Sequence, residues 1–339
     1  MKILLNQRLS DYNTIGIGGS VHWMFFPVNA SEVVEAIQFA WDNKAPFFVL
    51  AGGSNTVFDD VGMLSRQVVI NLCQMDNLDV KSINKNIEGI TKLEDLKFLV
   101  IECDPGVELQ AIVDIGLSNN AGGMVGLNRV PGTIGGAVVG NAGAYGCEIM
   151  SFVQKVEYID IVEVIKQPDW VGVHRLQTKD CHFGYRDSVF KRNKNWLITG
   201  IELKIPIDQD IVAAKSKYKE IATKRDAIYP AGFASPGSLF KNILFSTLPI
   251  EIQSNIDPSW IMYGNKLPVG KLLESLDLQG FINGKIQMRP THANIMTNLG
   301  GATYKDAVET VAILQSKIKE RFGIDIEPEV RFIDGNFGL

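Results

Sequence analysis

The stretch Gly122–Gly146 reads GGMVGLNRVPGTIGGAVVGNAGAYG, in which nine glycines surround Asn128, Pro131 and Asn141, and Arg129 is the one charge. Ordering glycine costs more backbone entropy than ordering any other residue. This density is tolerated only where the main chain takes positive φ or lets another group come very close. A flexible linker does not fit, because Val125, Leu127, Ile134, Val138 and Val139 are interleaved with the glycines and need burial. The stretch reads instead as a backbone cradle for a large flat or phosphorylated ligand, with main-chain N–H groups as the anion donors.

A second glycine loop lies upstream. Pro46–Leu50 is a short apolar run that leads directly into Ala51-Gly52-Gly53-Ser54-Asn55. Glycines after a strand suggest a dinucleotide fold of the Rossmann type, but the pattern argues against it. There is no G-x-G-x-x-G, and Thr56–Asp60 leads on to another strand at Gln67–Leu72 where that fold would place an amphipathic helix. A phosphate held here would rest on loop amides and on the Ser54 and Asn55 side chains. Alone, the loop reads as an ordinary turn; the downstream cradle gives it weight.

The remainder of the 339 residues bounds the answer. The length allows two or three domains with real cores. With 46% hydrophobic and 21% charged residues, the composition is that of a soluble globular protein. A net charge of −5 offers no basic field for nucleic acid. The N-terminal apolar run is too short for a signal peptide, and no run reaches membrane-spanning length. Cys73, Cys103, Cys147 and Cys181 form no C-x-x-C pair, which fits a reducing cytoplasm and no disulfide. His22, His174, His182 and His292 lack ligand spacing and read as structural or surface residues, so no metal is expected.

Periodicity places helices at Ser31–Asn43, Val107–Asn119, Ile211–Arg225 and Pro268–Leu276, and one following a Thr303 cap and ending at Gly323. Strands are expected at His22–Val28, Phe98–Cys103, Val153–Ile165, Val171–Leu176, Trp196–Ile205 and Ile326–Phe332, with a turn at Pro168-Asp169 and a peripheral loop or hairpin from Met75 to Lys97. Three polar residues stand out in these surroundings. Arg186, beside Tyr185 and Phe183, reads from composition as a surface arginine paired with Asp187. Ser238, between Gly237 and Leu239-Phe240, reads as a turn cap. Glu329, with apolar neighbours in a strand, is either an exposed-face residue or a functional carboxylate.

Seven segments together, in order along almost the whole chain, resemble the UDP-N-acetylenolpyruvoylglucosamine reductase (UDP-N-acetylmuramate dehydrogenase) family. They are Asn13–Gly19, Leu50–Asn55, Val130–Gly146, Phe183–Ser188, Gly237–Asn242, His292–Asn298 and Glu327–Phe332. The resemblance implies an α+β fold. A vanillyl-alcohol-oxidase-type FAD-binding region would comprise two subdomains (1–70 joined by 326–339, and 71–225), with a smaller α+β domain for the UDP-sugar at 226–325. FAD would rest on Gly52, Gly53, Ser54 and Asn55, on Pro131, Gly132, Thr133, Gly135 and Gly136, and on Asn141, Gly143 and Ala144. NADPH would reduce the flavin and leave, and UDP-N-acetylglucosamine enolpyruvate would take its place on the path to peptidoglycan. A monomer is expected.

The implied chemistry needs particular residues. Hydride transfer from flavin N5 to the vinyl C3 would leave charge at C2 and its carboxylate, and a cation must stand where that charge develops. The FGYRDS-like motif makes that cation Arg186, and the GS-F-K-N motif makes Ser238 the proton donor to C2. Glu329 is chosen over Glu327 as the carboxylate working with the arginine, because it directly precedes Val330-Arg331. Lys241 and Asn242 would hold the substrate, with Lys224 or Arg225 as a further basic residue. The chain departs from one branch of the family in lacking a T-Y-G tyrosine between Ile205 and Ile221, a role open to Tyr263, to Tyr229 or to a shortened loop. An O₂-using oxidase of the same fold, or a non-catalytic flavin or nucleotide-sugar binder, would lack the need for all three residues.

Overall fold

The structure, a computed structural model, describes residues 1–60, 67–82, 98–167, 172–208, 210–262 and 264–334. Two sheets frame the first two thirds of the chain. The first runs Lys2–Arg8, Ser20–Phe26, Val68–Asn71, Phe47–Leu50 in spatial order, antiparallel in its first pair and parallel in the others. The helix Ala30–Asp42 covers it with Val33, Ala36, Ile37 and Ala40, all fully buried. Asn29 caps this helix by accepting from the Glu32 amide at 2.9 Å.

The second sheet is antiparallel throughout, in the order His174–Gln177, Val153–Asp160, Trp196–Pro206, Phe98–Cys103, Leu78–Ser82. The glycine-rich stretch packs on it. It forms a 3₁₀ turn at Gly122–Leu127 and a short helix at Ile134–Val139, and it delivers Leu127, Ile134 and Val138 to the same core as Ile101, Ile112, Val156 and Leu203. The interleaved aliphatics are therefore what fix the glycines in place.

The last third builds a separate core around the sheet Ile282–Asn283, Ile286–Arg289, His292–Asn298 and the helices Val269–Glu274 and Tyr304–Phe322. Thr303 and Asp306 close a capping box on the long helix, and Gly323 ends it at φ 71°. Ile15, Ile17 and Val57 from the N-terminal region enter this core. The chain then returns: Arg331–Ile333 pairs in parallel with Thr56–Phe58, and Ile333 joins Leu9, Val21, Phe58 and Val69 in one cluster.

Two segments differ from their sequence reading. The Val153–Ile165 strand stops at Asp160, whose carboxylate accepts from the Val162 amide at 2.8 Å and starts a helix over Ile161–Lys166. Local capping thus overrides an apolar alternation that continues past it. In Ile326–Phe332 only the end is a strand, Arg331–Ile333; before it, Phe240 bridges Pro328, which has no amide to extend a ladder. The Pro168-Asp169 turn, Val171 and the 83–97 part of the expected peripheral segment lie outside the described residues, with strands observed at Leu78–Ser82 and His174–Gln177.

Burial pushes three thiols up from 9.0, Cys103 to about 12 and Cys147 and Cys181 each to about 11. The folded chain thus keeps protons that the unfolded chain releases. This contribution to stability is complete below the unfolded thiol value and is lost as pH rises through the folded ones. The urea midpoint should therefore fall from about pH 9 upward, and Cys103→Val should make that fall shallower. An identical alkaline slope in the variant would contradict the assignment.

Candidate active site

The two glycine loops meet. A Cβ on Gly52 would lie 3.0 Å from Gly132 Cα, and one on Gly132 would lie 2.7 Å from Ser54 Oγ, which donates to the Pro131 carbonyl at 3.2 Å. Gly53 sits at φ +61° against the Asn13–Gly19 turn, with Tyr12 O only 2.0 Å from where its Cβ would be. Its carbonyl accepts from the Thr14 amide at 3.3 Å. The amides of Gly52, Gly53, Ser54, Asn55, Gly132 and Thr133 donate to no acceptor among the described residues. Free amides on two touching loops suit the pyrophosphate of a dinucleotide, and side chains on Gly52 or Gly132 would fill the gap between the loops. These residues fit FAD.

Arg186 stands beside this cradle. Its φ of 55° is unusual for a side-chain-bearing residue, and several contacts hold it. Gly184 and Asp187 exchange both amide bonds across the turn, at 2.9 and 3.2 Å. Buried Asn141 donates to Gly184 O at 2.8 Å, and Lys191 Nζ donates to Arg186 O at 2.7 Å. Burial, reinforced by Lys241, pushes the Lys191 ammonium below its ordinary value. The turn is thereby stitched to the glycine-rich stretch, as is Ser188, whose hydroxyl donates to Val139 O at 2.7 Å.

The guanidinium points away from Asp187. Arg186 Nε donates to Glu329 Oε1 at 2.6 Å and a terminal nitrogen donates to Gly143 O at 2.8 Å, while Asp187 pairs with Arg192. The surface pairing read from composition is therefore incorrect. The Arg186 and Glu329 side chains are only 21% and 17% exposed, far from the solvated surface pair whose charges water screens.

Glu329 is fixed by its backbone. Asn55 Nδ2 donates to Glu329 O and the Arg331 amide to Asn55 O, both at 3.0 Å, so the first glycine loop is tied to the carboxylate segment. The Glu329 amide donates to Leu239 O at 2.7 Å. On its other side the Ser238–Phe240 segment pairs with His292–Asn298: Ser238 bridges Ile295, the Leu239 amide donates to Asn294 O, and buried Asn294 makes two side-chain bonds to Phe240. Ser238 and Glu329, far apart in sequence, are thus on adjacent extended segments. Burial pushes the Tyr229 phenol above its ordinary value, and Arg225 opposes the rise.

Lys241 pairs with Glu327, and the Asn242 amide donates to the Tyr185 hydroxyl at 3.2 Å. Tyr263 lies outside the described residues. Sequence reasoning passed over three members of this cluster: Tyr185, Lys191 and Lys266. Lys266 Nζ lies 4.1 Å from the Tyr185 ring centroid. Tyr185 is adjacent to Arg186 in the quoted motif, but nothing local signals Lys191 or Lys266. Among the described residues, no group of His, Cys, Asp and Glu could hold a metal ion.

Residues 22–163 match the model of the FAD binding domain, and 229–333 that of the UDP-N-acetylenolpyruvoylglucosamine reductase C-terminal domain. A UDP-N-acetylenolpyruvoylglucosamine reductase of Aquifex aeolicus is 30% identical over 339 residues, spanning 99% of this chain and 97% of its own. The chain belongs to the UDP-N-acetylenolpyruvoylglucosamine reductase family. A second reductase of this name, from Solibacter usitatus, is 29% identical over 325 residues, covering 96% of this chain and 95% of its own. Among solved structures, the reductase of Thermus caldophilus superposes with a TM-score of 0.66 over 98% of both chains at 22% identity, which shows a shared fold. The chain is thus an FAD-binding oxidoreductase with an α+β fold.

If the loop contact carries the cofactor, Gly52→Val should purify with its flavin depleted. Displacing a loop amide from a charged acceptor costs about 1.5–3 kcal/mol, or roughly 10- to 100-fold in affinity. Flavin absorbance per polypeptide measures this, and full occupancy in the variant would place the pyrophosphate elsewhere.

Proposed function

We propose that this protein reduces UDP-N-acetylglucosamine enolpyruvate to UDP-N-acetylmuramate for peptidoglycan synthesis, with NADPH as the reductant. The observation that carries the reading is the Arg186–Glu329 pair, 2.6 Å apart, with Ser238 on the segment bonded to the Glu329 backbone. Bound FAD supplies the hydride that goes to the vinyl carbon. Everything else is asked of the chain's own side chains.

Arg186 supplies fixed positive charge where the enolpyruvyl carboxylate gathers electron density. Because Lys191, Asn141 and the Gly184–Asp187 turn already hold its backbone, little reorganisation is needed when that charge develops. Glu329 aims the guanidinium and lies at the edge of the same space. Ser238 gives its hydroxyl proton to C2. Lys241 and Asn242, on the same extended run as Ser238, hold the substrate against Tyr185. In this reading 1–70 with 326–339 and 71–225 bind FAD, and 226–325 binds the sugar nucleotide.

Ser238→Ala should leave flavin reduction by NADPH unchanged and slow reoxidation by the enolpyruvyl substrate by about 10²–10⁴-fold, the usual worth of a positioned proton donor. Arg186→Ala should likewise damage the second half-reaction most. Stopped-flow absorbance separates the two halves, and equal loss in both would remove these residues from their roles.

A further inference from the structure

We propose that Lys191 is a positioning residue for reduction of the enolpyruvyl group: its ammonium holds the main-chain carbonyl of Arg186 and so keeps the guanidinium aimed at Glu329 and Gly143. This role rests on the function proposed above. It makes the second half-reaction, but not the first, depend on the charge of a lysine that acts only through Arg186.

Arg186 is the second central residue of a turn whose ends, Gly184 and Asp187, exchange their amide bonds. Positive φ at that place suits glycine, which has no Cβ to crowd the chain. Arg186 adopts it at 55°, so its conformation is imposed from outside. Two basic side chains of the helix that follows, Val189–Arg192, impose it. Ser188 caps this helix by accepting from the Lys191 amide at 3.3 Å, and buried Phe190 roots it in the core shared with Leu127, Ile134 and Val138. From that base Arg192 reaches back to the Asp187 carboxylate, and Lys191 Nζ donates to the Arg186 carbonyl at 2.7 Å. The second half of the turn is thus clamped residue by residue, and the clamp on Arg186 is an ammonium.

A half-buried lysine ordinarily finds a carboxylate or extends its ammonium into water. Lys191 does neither. Asp187 is taken by Arg192, Glu327 by Lys241 and Glu329 by Arg186, and among the described residues no acidic side chain pairs with Lys191. Among the same residues the Arg186 carbonyl is the one acceptor of its ammonium. The charges whose fields reach it are Asp187 on the turn, Lys241 on the Ser238 run, and Glu327 and Glu329 on the C-terminal segment. Burial and Lys241 lower its pKa from the ordinary lysine value, against the pull of the three carboxylates. Rising pH therefore removes its charge while a solvated lysine still keeps its own. The bond to Arg186 then loses its charge-assisted part, so the hold is full below the amine's own pKa and fades as pH rises through it.

Lys191→Met keeps the length of the side chain and removes its charge. In stopped-flow experiments its flavin should be reduced by NADPH at the wild-type rate. Reoxidation by saturating UDP-N-acetylglucosamine enolpyruvate should be at least about tenfold slower, as expected for a misplaced charge-stabilising group. Wild-type reoxidation should fall on the alkaline side, below the pH at which free lysine titrates. That fall should be absent from Lys191→Met and from Lys191→Arg, and the arginine, which keeps the charge, should recover most of the rate. Reoxidation of Lys191→Met as fast as wild type overturns the proposal. So does a raised Kd with an unchanged saturated rate, which would make Lys191 a substrate clamp, or equal slowing of both halves, which would make it merely structural. If Lys191→Met does not retain flavin, the other two proteins decide: a wild-type rate flat through the lysine range, or an alkaline fall that persists in Lys191→Arg, overturns the proposal. Wild-type flavin that this substrate does not reoxidise would instead show the function itself to be wrong, and the proposal would fall with it.

Discussion

Two main chains approach each other where Gly52 faces Gly132, a separation of about one van der Waals contact that no side chain could share. The arrangement of the site depends on this. The first loop leaves a parallel strand of one sheet, and the second belongs to the stretch packed on another. Their contact also leaves two rows of amides with no acceptor among the described residues, a cost that folding bears only if a ligand or water meets them. Strain in glycine-free positions such as Arg186 is tolerated by the same logic, because surrounding bonds over-determine it.

From that contact the geometry passes outward through backbone. Asn55, at the end of the first loop, holds the Glu329 carbonyl and the Arg331 amide, and the Glu329 amide grips the Ser238–Phe240 segment. The second loop supplies the Gly143 carbonyl to Arg186 and, through Asn141, holds the turn that presents it. Cation, carboxylate and hydroxyl are therefore carried by three segments, each tied to one of the two glycine loops or to its neighbour. Such placement on supported backbone is what charge stabilisation without reorganisation requires.

How much of this was legible in the chain follows from the range of each signal. The glycine loops were legible because glycine density with interleaved aliphatics is local, and Leu127, Ile134 and Val138 are buried as that pattern demands. The cap at Thr303 was legible for the same reason. The Arg186–Glu329 pair spans 143 positions, so no spacing could reveal it, and composition alone pointed to Asp187. Only the ordered resemblance named both residues. Lys191 and Lys266 were missed because a lysine in sequence looks solvated until packing places it under a carbonyl or over a ring. At Asp160 a cap ended a strand that alternation alone would have continued.

The most direct test of the central claim is the visible spectrum of the purified holoenzyme through one cycle. Anaerobic NADPH should bleach the flavin bands, and they should return on addition of UDP-N-acetylglucosamine enolpyruvate but not of UDP-N-acetylglucosamine. Bands that stay bleached with the enolpyruvyl compound, or that return equally with either sugar nucleotide, would contradict the account.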